Sequence, residues 1–377
     1  MKQTVRLGRV GGITVGAHWS VAVILVIIAQ VLAVSVLPAA SPHKTAALYW
    51  TVAVIAAVLF LASLLAHELA HALVARRSGV TVRSITLWML GGVTDLEGEP
   101  PTAGADFRIA LAGPMASLAA GGIFYGVGAA VHAAGGPRLV VAAAVWLAVM
   151  NGVLAVFNLL PGAPLDGGRV LRAVLWRRYG DRDRAELATA RVGQVLGAVI
   201  IGLGVAETFT LSYLDGLWLL LIGWFLISAA AAERQAATAR AALAGARVAD
   251  VMAPHPELAS GWHTVAEFTN EAAQSRQEAF PVIGFDGELA GVVLTSQLAR
   301  IPPRERPGLR LDQIAVPVPP GYRAAPDDLA APLAGRAPLG GEVAAVVLAD
   351  GHVTGMVTVS DLQQALRRRR LTNRHRG

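Results

Sequence analysis

A chain of 377 residues with 54% hydrophobic and only 15% charged side chains is too apolar for an ordinary soluble fold and points to a membrane protein. The absence of cysteine excludes a disulfide framework and any thiolate metal site, leaving His and carboxylate groups as the available metal ligands. The net charge of +6 rests on Arg, with Lys only at positions 2 and 44, and its blocks flank apolar runs, which marks membrane topology and excludes a nucleic-acid footprint. The Arg, Ala and Gly richness fits a GC-rich bacterial genome.

Six apolar runs, at 19–37, 48–74, 109–131, 139–160, 192–211 and 214–232, each approach the roughly 20 residues that a helix needs to cross the hydrocarbon core. The expected fold class is a polytopic α-helical membrane protein with six transmembrane helices, filling residues 1–235, followed by a C-terminal α/β part. The first run is long enough to remain as a span, so no cleavable signal peptide is expected. Fourteen basic residues, running from Lys2 through Arg76, Arg77 and Arg108 to Arg191, fall in the connections of one side, against Lys44 and Arg138 on the other. The positive-inside bias puts both termini of this multi-pass plasma-membrane protein in the cytoplasm.

The second run carries His67, Glu68 and His71 in the sequence H-E-L-A-H. Four residues apart on a helix, both imidazoles face one way and can share a metal ion, while Glu68 beside them can take a proton from a water at that metal. On a soluble surface such a pattern is usually a solvated helix face. Inside an apolar span nothing hydrates two histidines and a carboxylate, and ionisable groups kept there usually serve a function. A site with two histidines needs a third protein ligand and leaves a fourth position open. Asp166 is the candidate, in N-L-L-P-G-A-P-L-D-G-G at 158–168, where Pro161 and Pro164 prevent a regular helix and Gly167 and Gly168 allow close backbone approach. His71 lies roughly 8 Å inside the cytoplasmic boundary and Asp166 at the cytoplasmic end of the fourth run, so the two motifs meet at similar depth. Gly113-Pro114 reads as close helix packing, Asn151 as either an interhelical hydrogen bond or a substrate contact, and His18 as either an interface anchor or a group near the metal.

After Ala232 the apolar density falls. Residues 236–247 read as a helical linker, and from 248 the pattern becomes that of two similar α/β units, 248–304 and 305–368, ahead of a basic tail at 369–377. V-A-D-V-M at 248–252, F-P-V-I at 280–283 and G-V-V-L-T-S-Q-L at 291–298 mark the first unit; V-A-A-V-V-L at 343–348 and G-M-V-T-V-S-D-L at 355–362 mark the second.

Together, H-E-L-A-H and N-x-x-P-x-x-P-L-D-G-G resemble the two signatures of the site-2 protease family of intramembrane zinc metalloproteases, peptidase family M50. The opening G-R-V-G-G-I-T-V-G-A-H-W-S resembles the bacterial and archaeal branch that has C-terminal CBS domains, and the two C-terminal units resemble a tandem CBS pair. The resemblance implies one zinc ion per chain at His67, His71 and Asp166, with Glu68 as general base and Asn158 and Pro164 positioning substrate. The stretch S-I-T-L-W-M-L-G-G-V-T-D-L at 84–96 is similar to the family's membrane-associated β-hairpin, whose edge can receive an unwound substrate. In the second CBS unit Thr358 and Asp361 match a pair that contacts nucleotide phosphate and ribose, which implies an adenine nucleotide there. Gln297 and Leu298 stand where the first unit would need its Asp. An adenine-nucleotide site and a purely structural pair that forms a homodimer both stay open at this point.

The reaction so implied is endoproteolysis of a transmembrane or membrane-proximal segment in a single-span regulatory protein, such as an anti-sigma or pro-sigma factor. Its surroundings are membrane lipid and no nucleic acid takes part. The alternative is a membrane transporter or channel gated by CBS domains, which would spread polar residues along a path through several spans. Here they gather at H-E-L-A-H and Asp166. A catalytically dead scaffold would lack a ligand or the base, and all four residues are present.

Overall fold

The computed structural model describes residues 4–89, 91–210 and 213–373; Leu90 in the expected hairpin and residues 374–377 of the basic tail lie outside the described residues. The chain divides into two compact units, Met1–Arg234 and Gln235–Gly377. Among the described residues, six helices are long and apolar enough to cross a membrane, and the chain is a multi-pass membrane protein.

The chain opens with β1 (Val5–Val10) and β2 (Ile13–Ala17). Two helices, α1 (Ser20–Val31) and α2 (Leu37–Ala40), run on through a π-helical turn at Leu32–Val36 to make the first span. The second span is α3 (Ala46–Arg77), which starts at Thr45, whose hydroxyl accepts from the Leu48 N–H, and ends on Arg76 and Arg77, where positive charge suits the helix dipole. Next come β3 (Thr81–Trp88) and β4 (Gly91–Glu97), the hairpin expected at 84–96. They extend β1 and β2 into a four-stranded sheet of order β1-β2-β3-β4, with β2 and β3 parallel and β4 at an edge.

Thr102 caps α4 (Ala103–Ala133), and Pro137 precedes α5 (Arg138–Asn158). A shorter helix, α6 (Asp166–Tyr179), follows and is closed by Gly180 in the left-handed conformation, φ 69°. The last two spans lie on α7 (Arg182–Thr210) and α8 (Tyr213–Ala242). The latter continues past 232 as far as Ala242, because the Ala-rich stretch expected as a linker is strongly helix-forming.

Within the bundle, α4 packs against α3, α5 and α6. Ala29, Ala53, Ala56 and Ala57 are buried with Leu32 and Leu147 where the first, second and fourth spans meet. Such small residues let helix backbones approach closely without a hydrophobic drive from water. Ile123, Val153, Val195 and Trp224 are exposed, an apolar outer face suited to lipid.

The second unit holds β5 (Ala253–Pro254), β6 (Ala259–Ser260), α9 (Val265–Gln274), β7 (Ala279–Ile283), β8 (Leu289–Leu294), α10 (Thr295–Arg300) and α11 (Leu311–Ile314), then β9 (Arg323–Ala324), β10 (Val343–Ala349), β11 (His352–Thr358) and α12 (Val359–Asn373). One sheet has the order β6-β7-β8 and the other β5-β11-β10-β9. The V-A-D-V-M stretch, expected to open the first α/β unit, instead serves the second: Val248 and Val251 are buried with Ala344, Val347 and Val357, and β5 pairs with β11. A two-residue strand has too little periodicity to reveal its partner in the sequence.

Candidate metal centre

His67 and His71 sit one turn apart on the same face of α3, and both are buried, at 3% and 6% exposure. Asp166 is brought to them as the first residue of α6, where the helix N-terminus favours negative charge. The sequence placed this carboxylate in an irregular turn; the turn ends at Leu165, and Gly167 and Gly168 already belong to the helix. Those glycines are required by close approach, since a Cβ at Gly168 would lie 2.5 Å from the Gly162 carbonyl.

Three donor atoms converge. His71 Nε2 lies 3.2 Å from His67 Nε2 and 3.1 Å from Asp166 Oδ2, and the His67–Asp166 separation is 3.3 Å. Ligands about 2.0–2.1 Å from a common tetrahedral ion stand about 3.3 Å apart, so the triangle fits a zinc-sized cation. The tautomers agree with this. His71 Nδ1 is 2.7 Å from the Ile109 carbonyl, which only accepts, so Nδ1 carries a proton, and with Nε2 deprotonated the ring would turn a lone pair toward the triangle. His67 Nδ1 is 2.9 Å from Ser117 Oγ and can donate in the same way. Lone pairs and a carboxylate oxygen held this close repel one another until a cation lies between them.

The triangle opens on a cavity of about 690 Å³ whose wall includes Glu68, Trp88, Asn158, Pro164, Arg169 and Phe225. Glu68 stands next to His67 on α3, and the backbone of β4 closes over it: a Cβ at Gly92 would overlap the Glu68 side chain, 2.7 Å from Oε1. The structure therefore brings His67, Glu68, His71, Asn158, Pro164 and Asp166 to one cavity. His18 is elsewhere, with Nδ1 2.9 Å from Ser20 Oγ. Asn151 is fully buried and donates to the Leu147 carbonyl of its own helix, where an interhelical bond or a substrate contact was expected. In the second unit Thr358 and Asp361 cap α12 reciprocally, and Asp361 borders a cavity of about 460 Å³ with Asp250, Met252 and Arg368.

Sequence reasoning missed the α4 residues that touch the site. Gly113, taken as packing, faces the metal position: a Cβ there would run into His71 Nε2 and lie 2.6 Å from His67 Nε2. Asp106, Ile109 and Ser117 were not singled out. Their shared spacing with Gly113, on one face of an otherwise apolar helix, was the available signal.

A family model for peptidase family M50 matches residues 55–137 and 134–200. The Mycobacterium tuberculosis protein Rip3, named as a zinc metalloprotease, is 44% identical over 368 residues, covering 97% of this chain and 93% of its own. Among solved structures, the site-2 protease from Methanocaldococcus jannaschii is 27% identical with a TM-score of 0.42, over 61% of this chain and 94% of that one. The CBS domain of a bacterial CNNM/CorC family Mg2+ transporter, in complex with ATP, is 18% identical with a TM-score of 0.30, over 36% of this chain and 96% of that one.

Proposed function

The chain belongs to peptidase family M50 and is a zinc metalloprotease, and from that premise we propose that it cuts a transmembrane or membrane-proximal segment of a single-span regulatory protein, with Glu68 as the general base. The observation that carries this is the triangle of His67, His71 and Asp166 donors beside Glu68 in one large cavity of an apolar bundle. Zinc held by His67, His71 and Asp166 would supply Lewis acidity for attack of water on the scissile carbonyl. Glu68 accepts the proton of that water at its carboxylate and delivers it to the departing amide nitrogen. The close backbone at Gly92 limits where the Glu68 carboxylate can swing, which keeps it beside the ligands. Asn158 and Pro164, on the cavity wall, position the substrate backbone, and β4 offers a sheet edge to a segment that has unwound from helix. Substrates in this reading are membrane-tethered regulators of the anti-sigma or pro-sigma kind, and both termini are cytoplasmic.

The C-terminal α/β unit acts as the regulatory half. The cavity beside Asp361, with Arg368 on its wall, supports an adenine nucleotide as its ligand. Membership of the protease family sets the transporter alternative aside. Metal removal tests the core of the proposal: the full chain in liposomes with a single-span substrate should lose cleavage on chelation and regain it with about one zinc per chain. Cleavage that survives complete removal of metal would contradict it.

A further inference from the structure

We propose that one face of α4 positions all three metal ligands, and that Asp106 with Arg172 sets the place of Asp166. The inference rests on the metal-centre reading above and adds to it the residues that hold the ligands in register. Asp106, Ile109, Gly113 and Ser117 are spaced three, four and four residues apart, which puts them on a single helix face, and Asp106, Ile109 and Ser117 are fully buried. Each meets a different part of the centre. Ser117 Oγ holds His67 Nδ1, the Ile109 carbonyl holds His71 Nδ1, and Gly113 leaves the space into which both Nε2 atoms project.

Asp106 reaches the third ligand indirectly. Its Oδ2 accepts from Arg172 Nε and its Oδ1 from Arg172 Nη2, both at 2.9 Å, a two-pronged charged pair. Arg172 is six residues beyond Asp166 on α6, about 9 Å along a rigid helix, so the fork fixes α6 in translation and rotation and carries Asp166 with it. Arg169 Nε, 3.9 Å from Asp106 Oδ1, adds a second cation on the same helix. Stability alone is a poor reason for this pair. A buried ion pair seldom beats well-packed apolar residues in net stability, whereas it enforces one geometry. A ligand on α6 and two on α3 need a common reference, and α4, packed against both, supplies it. Asp106, Arg172 and Ser117 are thus positioning residues, since none of them touches the reacting atoms.

The test uses the full-length protein in detergent and measures zinc affinity by competition with a chelator, together with the visible spectrum of the cobalt-substituted form. Ser117→Ala removes one anchor. The double variant Asp106→Asn/Arg172→Gln removes both halves of the charged fork. Orienting partners of metal ligands typically govern about 10–100-fold in affinity, so both variants should bind zinc at least about tenfold more weakly than the parent. The cobalt spectrum should change as well, which looser helix packing by itself would not produce. Parent-like affinity and spectrum in the folded variants would overturn the inference. If the double variant does not fold, Ser117→Ala decides by the same two measurements. A parent that binds no zinc would instead overturn the metal-centre reading itself.

Discussion

A methyl group added at Gly113 would run into His71 Nε2, whereas one added at Gly92 would overlap the Glu68 side chain. The first obstacle is an imidazole pinned at Nδ1, and the second gives way only if the Glu68 carboxylate leaves its place beside His67. The two substitutions should therefore separate holding the metal from moving the proton. Gly113→Ala is expected to lower zinc affinity at least tenfold, by forcing the imidazoles apart. Gly92→Ala should keep about one zinc per chain while slowing cleavage about a hundredfold or more, as loss of a placed general base does. Zinc titration and a cleavage assay on each variant check this, and equal losses of both properties in both variants would show that the two roles are not separable here. The gathering of His67, Glu68, His71 and Asp166 at one cavity was legible in the sequence because their chemistry is conspicuous in an apolar setting. Gly92, Gly113 and Ser117 were not, because a glycine or a serine in a span has many structural uses.

At the scale of elements, the apolar runs foretold the six spans within a few residues at most ends, since length and hydropathy are what crossing a membrane demands. The hairpin at 84–96 was expected from the family resemblance alone, and β3 and β4 form it. Helix α6 was not legible in the sequence. Its arginines were counted as topology signals, and its apolar stripe of Val170, Ala173 and Val174 is too short to stand out beside true spans. The spacing that matters there, from Asp166 to Arg172, shows only once Asp106 is seen to lie opposite. Orientation remains a matter of charge. Reporters placed after Arg83 and Arg184 should read cytoplasmic and one after His43 external. An external signal after Arg184 would invert the arrangement and place the proposed metal centre near the wrong face of the membrane.

For the whole molecule, the division into a membrane unit and an α/β unit followed from the fall in apolar density near 232, while the crossing of β5 to the second sheet did not. If the α/β unit takes an adenine nucleotide, ATP should raise the melting temperature of the parent and have a smaller effect on Asp361→Ala. That variant also loses the half of the α12 capping box in which the Thr358 N–H donates to Asp361 Oδ2, so shifts are compared with each protein's own nucleotide-free value. No shift in the parent would leave the unit with a structural role. The central claim is that this membrane bundle is a hydrolase whose base is Glu68, and one substitution tests it most directly. Glu68→Gln keeps the side-chain size and removes only the group that accepts the water's proton. Purified full-length Glu68→Gln should insert, bind about one zinc per chain and still capture a helical membrane substrate, yet cut it about two to four orders of magnitude more slowly than the parent. Cleavage at the parent's rate would contradict the account.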